Sequence, residues 1–401
     1  MNSQPRPQKP GIFGRPVLTI TILVAVSIGA GVGSVAFANR DSGTPRSTWV
    51  APEHSVTTPP ATATSPDLES EPSAANVVGD TVAVSATGDI IMGNAPSRMP
   101  PDNGDGFFDS VKSGLQSDLV MGNLEQPLTE DTGTSKCGTP PRPNCFAFRS
   151  PPGYARHLRE AGFDLVNTAN NHAKDFGTAG AGNTRTALGN VGILATGNLD
   201  EITVREVHGI KIAVVGFSSY AGANNLNDLG HSRSVVQRAA QRADLVVVQV
   251  HMGAEGSGMQ HVQPGHEIFH GEDRGDPIRF GHAVIDAGAD LVVGHGPHVL
   301  RGMEFYRGRL IAYSLGNFAG GGHTLSGSGV LKYGGILHVT LTRDGTYAGG
   351  KFLSTYMNAS GKPVRDAANE RGRQLIAQLT AADFGPTGAR FGPDGSISRP
   401  A

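Results

Sequence analysis

The sequence predicts an α/β fold in which two sheets are covered by helices. Two observations carry that expectation. Apolar runs at 81–87, 163–166, 245–250 and 291–293 are continuous rather than alternating, which marks strands buried on both faces. Helix-like stretches alternate with these runs, while glycine-containing breaks elsewhere mark hairpins, and the mixture fits an α/β sandwich. A third observation concerns function. Polar blocks close several runs: Thr87-Gly88-Asp89, Gly122-Asn123-Leu124-Glu125, Ala169-Asn170-Asn171-His172, Val250-His251-Met252-Gly253 and Gly294-His295-Gly296-Pro297-His298. Asp, Glu, Asn and His supply the oxygen and nitrogen donors of a two-metal site.

The elements follow in order. Residues 81–87 and 118–121 form strands that end in Gly88-Asp89 and Gly122-Asn123. Residues 151–161 form a helix with proline near its start, followed by the strand 163–166. Residues 178–189 form a helix with Thr178 as its cap, and 193–195 a short strand. The runs 202–207 and 211–217 flank His208-Gly209-Ile210, a hairpin signal. Residues 232–242 form a helix, 245–250 a buried strand, 277–287 a helix and 291–293 a strand. A second hairpin joins 303–306 to 309–313 through Arg307-Gly308. A third joins 335–342 to the stretch after Asp344-Gly345, and 365–379 form a terminal helix.

The 401 residues carry a net charge of -2, so there is no basic footprint and no nucleic-acid partner is expected. Charged residues make up only 17%, with 56 glycines and 26 prolines, which suits a loop-rich extracellular protein. Cys137 and Cys145 bracket a short loop. Outside the cytosol this spacing suits a disulfide; the alternative is two free thiols.

Residues 17–38 carry no charge and are long enough to span a bilayer. Arg6, Lys9 and Arg15 precede them, so the remainder is expected outside. The segment is either a single-pass anchor in the cell membrane or a signal cleaved after Ala36-Phe37-Ala38, which would release a secreted protein. Residues 39–78, rich in Thr, Ser, Pro and Ala, suit a disordered linker. The expected organisation is a cytoplasmic tail over 1–16, the membrane or signal segment, the linker, a folded domain over 79–360, and a helix and tail over 361–401.

Several motifs together resemble the CapA family of capsule and poly-γ-glutamate biosynthesis proteins. They are Gly88-Asp89-Ile90-Ile91-Met92-Gly93, Asn123-Leu124-Glu125-Gln126-Pro127, Ala169-Asn170-Asn171-His172 with Asp175-Phe176-Gly177, Ala287-Gly288-Ala289-Asp290, Pro297-His298-Val299 and Tyr313-Ser314-Leu315-Gly316-Asn317-Phe318. That family is similar to the calcineurin-like metallophosphoesterases. The resemblance spans about residues 80–360. It implies a four-layer α/β/β/α sandwich with a metal site at the strand ends, in an extracytoplasmic domain held by one membrane segment. It also implies a role in making, exporting or anchoring poly-γ-glutamate or a related polymer. The expected partners are an anionic polymer or envelope substrate, the membrane, and subunits of a membrane synthase.

The resemblance assigns roles residue by residue. Asp89 is a metal ligand, with a turn or cap as its alternative. Metallophosphoesterases carry Asp-x-His there, and Ile91 occupies the His position. Glu125 stands where a bridging carboxylate is expected, with Asn123 beside it facing substrate. Asn171 offers its amide oxygen to a metal, and His172 protonates the leaving oxygen, oriented by Asp175. His251 follows a strand too apolar to leave it to solvent by chance and is a candidate metal ligand, with a core histidine satisfied by backbone as its alternative; Glu255 lies four residues on, as a supporting partner of that site or a substrate contact. His298 carries over from a His-Pro-His pattern in which Gly296 replaces the first His; His295 is displaced by one residue and is a further candidate ligand. Asn317 contacts substrate or closes a turn. His261, His266, Glu267, His270, Glu272, Asp273 and Asp276 lack regular ligand spacing and are expected on a substrate-facing or surface loop. The donors admit one or two divalent ions: Mn, Fe or Zn. Two functions remain: a metal-dependent hydrolase or transferase, and a non-catalytic accessory protein with a degenerate metal site.

Overall fold

The computed structural model describes residues 81–400. The segment expected at 17–38 and the linker expected at 39–78 lie outside the described residues. Among the described residues no helix is long and apolar enough to cross a membrane.

Thr81–Ile91 is the hub of a ten-stranded sheet. It runs parallel to Leu119–Leu124, and the sheet continues in parallel through Leu165–Asn167 to Leu194–Thr196. On its other side it is antiparallel to Tyr333–Thr342, which pairs with Tyr347–Met357. A seven-stranded sheet runs through Met303–Tyr306, Arg309–Ala312, Leu291–His295, Leu245–His251, Ile210–Ser218 and Thr203–Val207, with Asn224–Asn225 also paired to Ile210–Ser218. Two hairpins have two-residue turns: His208-Gly209 and Arg307-Gly308 both lie at positive φ, the geometry that matches strand twist.

Side chains alternate across each strand. Val82, Val84, Leu119 and Met121 of the first sheet join Ile212, Val214, Leu245, Val247, Leu291 and Val293 of the second in one buried cluster between the sheets. Val120 and Val166 face the other way, onto Val111, Leu158 and Leu188 of helices Asp109–Leu115, Ala155–Ala161 and Gly177–Asn190. Val215, Val246, Val248 and Val292 likewise pack on Val235, Val236, Phe280 and Val284 of helices Leu229–Ala240 and Pro277–Asp286. Helices therefore cover the outer faces of two stacked sheets. Asp228 and Asp276 cap the latter two helices by accepting hydrogen bonds from the backbone N–H of His231 and Arg279.

Several expectations are corrected. The first strand does not end at Asp89 but continues to Ile91, with a register shift between Ala86 and Asp89 against its neighbour. The second runs on to Leu124 and takes Asn123 into the sheet. Residues 151–161 begin as a 3-10 turn at Pro152–Tyr154 before the α-helix starts. Thr178 is not a cap: its helix starts at Gly177, and Phe176 holds the cap position without a side-chain bond. The terminal helix is Arg371–Phe384, because Arg365 is taken into the sheet opposite Thr355. Residues 361–400 are no tail. They add Pro363–Arg365, Ser396–Ser398 and Arg390–Phe391 to the larger sheet, and Ile376, Ala389 and Ile397 enter the core between the sheets. Cys137 and Cys145 form a disulfide.

Candidate metal centre and its comparisons

The candidate site lies where the two sheets bring their polar blocks together. Asp89 sits on the distorted stretch of the first strand. Its backbone N–H donates to Gly316 O at 3.0 Å, because Gly88 and Gly316 allow two backbones to meet. A Cβ on Gly88 would lie 1.8 Å from Gly316 O, and Gly316 itself has φ +68°. The Asp89 carboxylate is fully buried. It accepts from Asn123 Nδ2 at 2.8 Å and from the Gly296 amide at 3.3 Å, and His298 Nδ1 stands 3.2 Å away.

Asp89, Glu125 and His251 offer donor atoms within 4.8 Å of one another, a spacing that fits a divalent ion. Glu125 is wholly buried, yet neither of its oxygens accepts a hydrogen bond, and His251 Nε2 and Asn171 Oδ1 also lack partners. His251 Nε2 and His298 Nε2 approach Glu125 only to 3.8 and 3.6 Å, beyond hydrogen-bond length. Buried polar atoms are normally paired, so this cluster of unpaired donors fits a cation in chemistry and position.

The protonation tendencies follow from burial and mutual charge. Burial pushes the Glu125 carboxyl well above the usual carboxylate range, and Asp89 and Glu255 reinforce this. Burial acts in the same sense on Asp89, but the His298 hydrogen bond and the charges of His298, His251 and His295 hold it well below. Burial opposes charge on His298, yet Glu125, Asp89 and Glu255 together raise it well above an ordinary histidine. Burial lowers His251, and it lowers His295 to about 4. A cation here would replace protons in balancing the carboxylates.

Beside this cluster His172 shares a hydrogen bond from Nδ1 to Asp175 Oδ2 at 2.8 Å, and burial lowers its pKa against the pull of Asp175. Glu255 joins the two parts. It accepts from Asn171 Nδ2 at 3.5 Å and from Arg274 at 2.8 Å, and lies 3.7 Å from His298 Nε2. His172, Glu255, His298 and Asn317 line a cleft of about 340 Å³ whose other walls include Phe146, Phe148, Phe269 and Leu331.

Some placements differ from those expected. Asn123 does not face substrate. Its amide is fully buried, donating to Asp89 and accepting from Asn167 and Asn170. Glu255 bonds Asn171 and Arg274, in keeping with the supporting role expected of it, and also lines the cleft. Asn317, 1% exposed, bonds His298 Nδ1 at 2.9 Å and Leu331 O, so it orients that histidine from the cleft wall. His295 pairs in register with His251 but faces Gln249 at 3.3 Å, leaving its Nδ1 without a partner. Gly296 has φ +110°, which L side chains rarely adopt, and a Cβ there would stand 3.1 Å from the His251 ring, so a histidine would be strained at that position. Ile91 is fully buried.

Sequence reasoning passed over Asn167, Asn170, Arg274, Lys136 and Phe148. The Asn170 signal was in the Asn-Asn pair: the first amide brackets Asn123 and Leu124 O, which frees the second for the site. Arg274 gave no signal, since its role depends on partners nineteen residues or more away in Glu255 and Tyr220. In the loop at 261–276, Glu267 is bound to Arg301 and His266 to Asp273, while Arg274 reaches the site through Glu255.

With this geometry in place, the comparisons decide the family. The model of the family "Bacterial capsule synthesis protein PGA_cap" matches residues 83–321, which include every candidate site residue named above. The chain belongs to this family. It is 32% identical to the PGA biosynthesis protein CapA of Bacillus subtilis over 60% of this chain and 63% of that protein. It is 31% identical to the capsule biosynthesis protein CapA of Bacillus anthracis, over 59% of each. A protein of Mycobacterium tuberculosis named as a probable polyglutamine synthesis accessory protein is 27% identical over 52% of this chain and 57% of that one. The chain thus spans about three fifths of the length of these relatives. A solved Haemophilus influenzae NAD nucleotidase (NadN) overlaps 76% of this chain and 57% of its own at 13% identity, with a TM-score of 0.38, too low to add to the fold described above.

Proposed function

We propose that this domain is a metal-dependent hydrolase or transferase of metallophosphoesterase type. In this reading it acts outside the cytoplasm in the synthesis, export or anchoring of poly-γ-glutamate or a related capsule polymer. One observation carries the reading: ligand atoms of Asp89, Glu125 and His251 lie within 4.8 Å of one another, and the buried Glu125 oxygens and His251 Nε2 have no partners, nor does Asn171 Oδ1. One or two divalent ions (Mn, Fe or Zn) held by Asp89, Glu125, Asn171 and His251, with His298 and His295 at the margin, would supply Lewis-acid polarisation of a phosphoryl or acyl oxygen.

The chain's own groups do the rest. Asn123 and Gly296 hold the Asp89 carboxylate in place. Glu255 takes the Asn171 amide N–H and leaves its oxygen for the ion. Asp175 engages His172 Nδ1, so Nε2 is the nitrogen that delivers a proton to the leaving oxygen. The disulfide supports an oxidising location, and the uncharged segment at 17–38 is the proposed membrane attachment.

A specific observation favours a second reading, a non-catalytic accessory subunit of a membrane synthase. Ile91 and Gly296 remove two histidines of the metallophosphoesterase pattern, and the positive φ at Gly296 disfavours a side chain there. Turnover separates the two. The full-length chain loaded with Mn²⁺ is assayed on bis(4-nitrophenyl) phosphate and on poly-γ-glutamate, beside His172→Ala. A fall of roughly 10²–10⁴-fold in the variant supports the catalyst, as expected for loss of a general acid. Bound metal without His172-dependent turnover supports the accessory role.

A further inference from the structure

We propose that the disulfide-closed strap at 136–148 is a positioning element for the His172–Asp175 pair, with Lys136 as its key residue. This rests on the catalytic reading of His172.

Five contacts tie the strap to the pair. Lys136 Nζ stands 2.6 Å from Asp175 Oδ1, donates to Asn171 O at 3.1 Å, and lies 3.2 Å from His172 Nδ1. The Lys136 backbone N–H donates to Asp175 O at 2.8 Å. At the other end of the strap, the Phe148 N–H donates to Asp175 Oδ2 at 2.7 Å, and the Phe148 ring rests 4.7 Å from the His172 ring. Asp175 is fully buried, and both its oxygens are held: Oδ1 by the Lys136 charge, Oδ2 by His172 and Phe148. A carboxylate buried without partners is costly, so these contacts fix Asp175 in one place.

The disulfide makes the strap a single unit. Cys137 follows Lys136, and Cys145 lies three residues before Phe148, so the cross-link pins both contact ends to one closed loop. Closing that loop lowers the conformational freedom lost when Lys136 and Phe148 dock. The same strap supplies Phe146 and Phe148 to the cleft wall, and Phe146 stands 61% exposed at its mouth. The strap therefore fixes the proton-delivering ring and shapes its approach.

The test compares the wild-type full-length chain with Lys136→Ala, Lys136→Arg and the double variant Cys137→Ser/Cys145→Ser. Hydrogen exchange is followed at Phe148, with Leu245–His251 as the internal reference, alongside bound metal and Mn²⁺-dependent turnover of bis(4-nitrophenyl) phosphate. The strap account expects at least tenfold faster exchange at Phe148 in the double variant, with the reference strand and metal content unchanged. It expects kcat to fall at least tenfold in Lys136→Ala at constant KM, with partial recovery in Lys136→Arg. Unchanged Phe148 exchange in the double variant overturns it, as does wild-type kcat in Lys136→Ala. If the wild type itself does not turn over the probe, the catalytic reading of His172 fails. The strap is then judged on its exchange result alone.

Discussion

Two regions of this molecule are equally rich in histidines and carboxylates, and they behave in opposite ways. The loop at 261–276 pairs most of its carboxylates and two of its histidines. His261 bonds Asp383 at 2.7 Å, His266 bonds Asp273 at 3.0 Å, and Glu267 grips the buried Arg301 at 2.7 and 2.9 Å. Asp276 caps a helix, and Glu272 accepts from Tyr220 and Arg274. At the meeting of the sheets, by contrast, Glu125 and His251 are completely buried with donor atoms unpaired. The lesson is that the number of ligand-type side chains says little. What separates a site from a structural network is whether desolvated donors are left without partners.

The comparison can be broken by changing one residue in each region. The largest effect on stability is expected in the loop. Glu267→Ala leaves the Arg301 guanidinium buried without its carboxylate, which costs about 3–5 kcal/mol. Denaturant unfolding should register that loss while bound metal stays at the wild-type level. Next comes Glu125→Gln, which should weaken metal binding by about 100-fold or more, above the 10–100-fold range of supporting residues. Titration of the chelator-treated protein with Mn²⁺ or Zn²⁺ measures it. The apo variant should unfold no more easily than the wild type, because the lost carboxylate had no partner to leave behind.

Chelation gives a related effect. Removing an ion held at a hundredfold excess over its dissociation constant should lower wild-type stability by about 2.7 kcal/mol. The same treatment should lower the stability of Glu125→Gln by only about 0.4 kcal/mol or less, because a site weakened a hundredfold is half filled at that concentration. The smallest effect is expected at His266→Ala. It breaks an exposed pair with Asp273, worth about 0–1 kcal/mol, and should alter neither metal content nor turnover.

Much of this arrangement was legible in the sequence because it is local. Continuous apolar runs gave the central strands, and glycine at the second turn position gave two hairpins. The polar blocks placed Asp89, Glu125, His251 and His298 near one another because consecutive parallel strands expose the same end. What stayed hidden depends on distant pairing. Asp89 was expected to end its strand, but Gly316, more than two hundred residues on, draws the chain into a bulge and extends it to Ile91. Asn123 looked free for substrate until Asn167 and Asn170 claimed its oxygen. Residues 361–400 looked like an appendage because their strands are only two or three residues long and acquire meaning only beside Tyr347–Met357. Lys136 carried no sequence signal at all, since its partner Asp175 is brought to it by the fold.

The central claim is that the unpaired donors around Glu125 hold a divalent ion, and metal analysis tests it most directly. The full-length chain, purified without chelator and then offered Mn²⁺ or Zn²⁺, is compared with Glu125→Gln and His261→Ala by elemental mass spectrometry. The account predicts one or two ions per chain in the wild type and in His261→Ala, and loss of metal in Glu125→Gln. A wild-type chain that carries no ion and acquires none, or one whose metal survives Glu125→Gln but not His261→Ala, would contradict it.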